Sequence, residues 1–473
     1  MLAASLVGTL GVAVAIRIWM PRYLGPDAFG RLAFAEDFAT GAMFLTNFGV
    51  ETYIRREVAR RPAHASEFFG GLIEVRLLAS VLVAVAMAAG LTAMGKPRSD
   101  WGLVYIFGLG QVAFVLNSSL NSLLQAVGKV RETAIYNVLS KVLWGAGIYI
   151  GLRLGFGVIA VPVSFFITEA LKVPVFIWAC RENLGLRLRF DLGPMKGVLV
   201  FSFPFFLNQL GHELYGRLGV TTMSSMAPHA EVGWFGAANQ VKTLVLLALP
   251  IINAVLLPMS SRLATDVAVL NDVMRSTVRL ALVLTAPLAV VLALDADWIV
   301  RTLFSAEFMP AARSLQVLAV IIPLSCYAVL SAMHLMQLDR IWGMTFISLG
   351  GLAAAVILNP VFIGFGVSHF GTGGAGMGAA AAAVVTEFAV DALMFLSLGR
   401  AGGDRRLAVL ALKLTVVFAA MVGLHVLVAP HGFRGVLLDT MAWLVLGTLA
   451  GAIPAREIAG RVRAALERRR PLA

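Results

Sequence analysis

Residues Pro21–Arg61 read PRYLGPDAFGRLAFAEDFATGAMFLTNFGVETYIRREVARR. The pair Gly25-Pro26 marks a turn after an apolar first segment. The spacing predicts a helix with Glu36 and Asp37 near its start, Glu51 near its end, and Arg55, Arg56, Arg60 and Arg61 at and beyond its close. Apolar spans rarely carry that many charges unless a wet interior receives them. An echo lies about two hundred residues later at Ala227–Arg262, APHAEVGWFGAANQVKTLVLLALPIINAVLLPMSSR. There Pro228-x-Ala230-Glu231-Val232-Gly233 matches Pro26-x-Ala28-Phe29-Gly30 with one residue inserted.

Working outward, the 473 residues are 59% hydrophobic and only 14% charged, against about 25% charged in soluble domains. With a mean hydropathy of +0.86, the chain reads as an integral membrane protein built of helices. A barrel would show alternating segments of ~10 residues, whereas these apolar runs reach the ~20 residues that cross ~30 Å of hydrocarbon. Fourteen spans follow, at 2–20, 33–55, 70–93, 101–126, 133–152, 158–180, 196–222, 232–260, 277–300, 312–337, 341–365, 375–399, 407–429 and 435–455. Residues 1–20 lack the charged start and small-residue cleavage site of a signal peptide and read as a retained first helix, beginning so abruptly that a start further upstream is an open alternative. Cys180 and Cys326 lie in apolar spans and read as core residues, with no disulfide framework or metal motif.

Lys and Arg in the loops set the orientation. Loops after even-numbered spans, with the C-terminal segment, hold 23 of the 38; loops after odd-numbered spans hold 8; the remaining 7 are within spans. Both termini are therefore predicted in the cytoplasm. The same bias, with the basic segment Arg456–Ala473, accounts for much of the +12 net charge, so that charge does not argue for an acidic substrate or for nucleic acid.

The repeat extends beyond the opening stretch. LLQAVGKVRETAIYNVLSKVL from Leu123 resembles HLMQLDRIWGMTFISLGGLAA from His334, and GFGVIAVPVSFFITEALK from Gly155 resembles GTGGAGMGAAAAAVVTEFAV from Gly371. Spans 1–6 thus correspond to spans 7–12. Six is even, so the halves point the same way and relate by an axis along the membrane normal, with a site between them. The expected architecture is an all-α polytopic membrane protein of about fourteen helices: two parallel six-helix repeats around a central cavity, plus two extra helices. Its parts are an N-terminal lobe at 1–195, a C-terminal lobe at 196–400, the additional pair at 401–455 and a basic cytoplasmic tail at 456–473.

Seven basic residues (Arg17, Arg76, Lys141, Lys172, Arg217, Lys242 and Lys413) and eight acidic ones (Glu36, Asp37, Glu51, Glu74, Glu169, Glu213, Glu387 and Asp391) fall within spans. Each costs at least ~2.5–3.5 kcal/mol at the bilayer centre, so they pair or line water. Glu36 and Asp37 sit in the first turn of span 2, where a helix N-terminus favours negative charge as well as a function would. Glu74 and Arg76, about a turn from the end of span 3, can snorkel, and Lys413 reads as snorkelling or packing. Glu213 and Arg217 share a face at i, i+4. Glu169 and Glu387 occupy equivalent positions in spans 6 and 12, and Asp391 shares a face with Glu387. His212 and His334 could relay protons but read rather as satisfied core histidines. No H-E-x-x-H, P-loop or G-x-S-x-G motif occurs.

RYLGPDAFGRLAFAEDF, NFGVETYIRREVAR and the APHAEVGWFGAANQV echo resemble the polysaccharide-transporter branch of the multidrug/oligosaccharidyl-lipid/polysaccharide exporter superfamily, which includes the O-antigen flippases. The resemblance covers nearly the whole chain and its 6 + 6 + 2 layout. It implies a flippase of the bacterial inner membrane that moves a polyprenyl-pyrophosphate-linked oligosaccharide between leaflets for O-antigen, capsule or exopolysaccharide assembly. In that family spans 1, 2, 7 and 8 line the cavity. By that resemblance Arg17, Arg55, Arg217 and Lys242 are the expected substrate contacts, Arg suiting phosphate through its planar fork. Glu169, Glu213, Glu387 and Asp391 are candidates for coupling to H+ or Na+; no other cofactor and no metal is expected. Expected partners are the lipid-linked oligosaccharide, membrane lipids, and a polysaccharide polymerase and other assembly proteins. A lipid II flippase or a cation-coupled drug exporter of the same superfamily is the alternative. A membrane glycan polymerase or ligase fits less well, because such an enzyme wants a large outer loop and no loop here exceeds about twenty residues.

Overall fold

The computed structural model describes residues 2–246, 267–428 and 432–453, which are helical almost throughout. The helices are α1 (Leu2–Met43), α2 (Val50–Tyr53), α3 (Ala65–Ala93), α4 (Arg98–Ala126), α5 (Val130–Arg153), α6 (Ala160–Leu184), α7 (Met195–Met226), α8 (His229–Leu246), α9 (Val267–Leu294), α10 (Ala296–Leu303), α11 (Ala311–Leu318), α12 (Ile321–Gln337), α13 (Ile341–Phe370), α14 (Gly374–Leu398), α15 (Arg405–Val428) and α16 (Gly432–Leu449). Nine of the described helices are long and apolar enough to cross a membrane, and the pair α11 and α12, bent by 41°, makes a tenth. These correspond to predicted spans 3–6 and 9–14, although span 9 begins ten residues earlier than predicted and ends at Leu294, and span 10 is bent at 319–320; α1, which carries span 1 and most of span 2, α7 and α8 complete about fourteen. The second part of span 8 and the basic tail lie outside the described residues. Outward faces are strongly apolar, as at Leu82, Leu396 and Leu427, each more than 70% exposed, which is the pattern of helices solvated by lipid.

Span 2 departs from its prediction. It does not begin at residue 33. Gly25 (φ 75°, ψ 169°) breaks α1, and the chain resumes as helix at Pro26, a residue preorganised for a first helical position. Glu36 and Asp37 therefore lie almost three turns inside the helix. A dipole effect confined to the first turn cannot account for them. Nor does the span run unbroken to residue 55. After Met43 the chain tightens to a 3-10 turn at Phe44–Thr46, Phe48 (φ 57°) and Gly49 (φ 65°) both adopt left-handed backbone, and α2 continues as a π-helical turn over Ile54–Val58. The sequence pattern missed this because a non-glycine residue at positive φ is uncommon.

By internal contacts the chain forms two compact units. The first comprises Met1–Gln240, Leu303–Ser314 and Ile341–Thr386. Within it α7 packs along α13 and α4 along α6. Its best-filled region gathers Val50, Ile54, Phe68, Phe69, Leu72, Leu120, Leu123 and Phe176, all fully buried.

The second unit comprises Val241–Thr302, Leu315–Arg340 and Glu387–Ala473. Leu270, Met274, Cys326 and Leu330 bring α9 against α12, and Val283, Val417, Met421 and Trp443 bring α9 against the added pair α15–α16. Cys326 here, like Cys180 in the first unit, is a buried free thiol, as expected. His334 is a satisfied core histidine, its Nε2 2.8 Å from Asn271 Oδ1; His212 instead lies partly exposed, with its Nδ1 2.8 Å from the Tyr215 hydroxyl.

Candidate functional site

The echoed motifs meet. Gly30 and Gly233, equivalent in the repeat, lie backbone to backbone: a Cβ on Gly30 would fall 2.9 Å from the Gly233 nitrogen and would overlap the His229 carbonyl. If the expected two-fold relation of the repeats holds, equivalent residues touch only beside its axis, and this crossing of α1 and α8 is where they do so. The glycines are required by the closeness of the backbones.

Polar locks surround the crossing. Arg31 donates through Nε and Nη2 to Asp100 Oδ1 at 2.9 and 2.6 Å. Lys96 Nζ donates to the Ser224 carbonyl and stands 4.5 Å over the Phe34 ring. Burial pushes the Lys96 amine below the ordinary lysine value, with Asp100 opposing. Arg22 Nε reaches the Leu303 carbonyl at 2.7 Å, the Trp234 indole reaches that of Glu307 at 2.8 Å, and Gly373 N–H donates to Glu231 at 2.6 Å. These locks are unequal. Asp100 is 2% exposed and its second oxygen has no hydrogen-bond partner. Arg31→Met leaves that carboxylate without its guanidinium, with Ser99 Oγ at 3.5 Å and His229 Nε2 at 3.9 Å beside it, and is expected to cost about 3 kcal/mol. Lys96→Met removes a penalised charge and is expected to cost under about 1 kcal/mol. Thermal unfolding midpoints of the two variants should fall in that order, and a larger loss for Lys96→Met contradicts it.

Away from this crossing α1 and α7 share a charge network. Arg217 on α7 pairs with Asp37 at 2.6 Å and with Glu213 at 2.6 Å. Arg17 lies 3.9 Å from Glu36. Lys141 on α5 is within electrostatic reach of Arg17, Glu36, Glu169 and Lys172. On α6 Lys172 Nζ is 3.1 Å from Glu169, which also accepts from Asn117 Nδ2 at 2.8 Å. Four cations and four carboxylates from α1, α5, α6 and α7 thus form one continuous set with no net charge. Exposure is graded. Arg17 and Glu36 are about 40% exposed, Arg217 and Glu213 just under 30%, and Glu169 is buried. A partly exposed guanidinium held by two carboxylates can, chemically, exchange one of them for an incoming anion.

Arg76 does not snorkel. It lies three turns inside α3, 4% exposed. Its Nε and Nη2 donate to the Thr46 and Asn47 carbonyls at 3.2 and 2.8 Å, its Nη1 to the Val115 carbonyl at 3.2 Å and Ser119 Oγ at 2.8 Å, and Glu51 lies 3.6 Å away. Broken helices leave carbonyls with no intrahelical partner; Arg76 satisfies those of the interruption in span 2. No local sequence signal joins Arg76 to the turn that begins at Asn47, 29 positions away.

The other predicted residues are placed as follows. Arg55 is exposed on the π-helical turn, next to Arg56, whose guanidinium stands 5.3 Å over the Phe201 ring. Lys242 is half-buried on the last described turn of α8. In the second unit Glu387 and Asp391 on α14 are 5% and 6% exposed; Ser325 Oγ donates to Glu387 at 3.0 Å, while neither Asp391 oxygen has a hydrogen-bond partner. Among the described residues no three His, Cys, Asp or Glu side chains are grouped to hold a metal ion.

Comparison with known proteins agrees with this architecture. The structure resembles the lipid II flippase MurJ in an inward closed conformation, with 13% identity over 95% of this chain and 100% of that one and a TM-score of 0.64. It also resembles an inward-facing multidrug resistance MATE family transporter of the MOP superfamily (15% identity, 84% and 95% coverage, TM-score 0.64) and the MATE multidrug transporter DinF-BH (18%, 84% and 95%, 0.59). No curated protein matches the sequence. The family described as polysaccharide biosynthesis protein matches residues 1–264, more than half of the sequence. The chain is therefore a multi-pass membrane protein with the fold of these transporters, and it belongs to the polysaccharide biosynthesis protein family.

Proposed function

We propose that the chain is a flippase of the bacterial inner membrane, with both termini in the cytoplasm, which carries a polyprenyl-pyrophosphate-linked oligosaccharide by alternating access. The observation that supports this most is the neutral network centred on Arg217. A pyrophosphate crossing an apolar barrier needs cations near mid-depth, and those cations must be masked when the carrier is empty. Asp37 and Glu213 mask Arg217. Arg17, Arg55 and Lys242 are the further proposed contacts, Arg55 at the exposed turn beyond the break.

When the head group takes Arg217, the displaced carboxylates become places for H+ or Na+, which couples transport to an ion gradient. Asp391 with Glu387 is a second proposed coupling pair, because a buried carboxylate without a donor favours a proton or cation. Glu169, already neutralised by Lys172, is less suited. An enzyme is not the reading that family and fold favour. For an organic cation as cargo, carboxylates in excess would be wanted, and the network has none.

Protein in vesicles, offered a polyprenyl-pyrophosphate oligosaccharide labelled on the sugar, should move it between leaflets. Movement of lipid II at an equal or higher rate, or of a cationic dye alone, assigns the cargo to the alternative transporters. Complementation of a flippase-deficient strain then identifies the sugar.

A further inference from the structure

The added pair α15–α16 carries a feature that the transport reading does not use. A cavity of about 480 Å³ opens between the first turns of α15 and the end of α16, lined by Arg405, Arg406, Val409, Leu410, Lys413 and Gly451. Residues 405, 409 and 413 recur every four positions, so they form one stripe, and Lys413 lies about 12 Å along the helix from Arg405 at 1.5 Å per residue. Lys413 is fixed there by donating to the Gly451 carbonyl at 3.0 Å, so it does not simply snorkel outward.

Among the described residues no carboxylate lines the cavity. The nearest in sequence, Asp404, is committed elsewhere: Oδ1 accepts the Leu407 N–H at 2.8 Å and Oδ2 accepts Arg279 at 3.0 Å. Its lining therefore offers three cations beside the apolar Val409 and Leu410. Leu412 and Val416, next along the helix, are 65% and 58% exposed. The Lys/Arg distribution puts this end of α15 at the cytoplasmic interface, where anionic lipids attract basic side chains.

We infer that this cavity binds the phosphate head group of an anionic phospholipid, with the glycerol against Val409 and Leu410 and the acyl chains along Leu412 and Val416. The shared chemistry is a phosphate anion. A free phosphate ion would use the cations but gain nothing from the apolar stripe, so the lipid is the favoured source. A cargo pyrophosphate is not invoked, and the inference stands whether or not the flippase reading holds.

Native mass spectrometry of the full chain, taken from nanodiscs of phosphatidylcholine with a titrated fraction of phosphatidylglycerol, tests it. The wild type should retain one phosphatidylglycerol more than R405Q/R406Q/K413M, with at least a tenfold difference in apparent affinity. A control altering Arg181, Arg187 and Arg189 to Gln should retain it. R405K/R406K keeps the charge and should retain most of the binding, which separates loss of the site from loss of folding. Equal retention by the triple variant and the wild type overturns the inference. So does displacement of the lipid by millimolar inorganic phosphate, which would make the cavity a site for the free ion.

Discussion

Arg76→Ala is expected to be the most damaging single change in the first unit, lowering stability by about 3–5 kcal/mol. The guanidinium has four acceptors, two of them carbonyls of the interrupted helix, and Glu51 beside it. Its loss leaves Glu51 buried, with Ser119 Oγ at 3.2 Å as its remaining neutral donor. Arg76→Lys should recover only part of the loss, because an ammonium cannot reproduce a planar fork that spans three helices. Thermal unfolding in one fixed detergent or lipid measures this. A midpoint for Arg76→Ala within about one degree of wild type would mean that the break at Phe44–Gly49 is held by its own backbone preferences.

The second large effect concerns Arg217. Arg217→Gln should reduce translocation by roughly tenfold to a hundredfold, the worth of a charge-assisted hydrogen bond of about 1.5–3 kcal/mol. It should also destabilise the protein, because Asp37 and Glu213 then face each other without a cation. Asp37→Asn with Glu213→Gln and Arg217→Gln removes all three charges and should restore stability while leaving translocation low. Transport recovered in that triple variant would reduce Arg217 to an ion-pair partner with no part in binding.

Much of this was legible in the sequence for physical reasons. Hydrocarbon thickness fixes span length, so composition and run length alone placed spans 3–6 and 10–14 near their observed positions, while span 9 starts ten residues earlier, at Val267. The Pro26–Gly30 echo at Pro228–Gly233 pointed to two backbones in equivalent environments, and the structure brings those two glycines together. The i, i+4 spacing of Glu213 and Arg217 correctly gave their pairing. What sequence could not supply was the partner from another helix. Asp37 joins Arg217 across 180 positions, and Arg76 joins Asn47 across 29. Neither separation has a local signature. The interruption of span 2 was hidden because Phe48, an apolar residue, fits the hydrophobic pattern while its backbone leaves the helix.

The central claim is that masked cations at the Arg217 network carry an anionic lipid-linked head group. Its most direct test is leaflet exchange of a sugar-labelled polyprenyl-pyrophosphate oligosaccharide in vesicles holding equal amounts of wild type or of the triple neutral variant of Asp37, Glu213 and Arg217. The account predicts rapid exchange with wild type and exchange near the protein-free rate with the variant, both proteins being folded. Equal exchange by the two would contradict it.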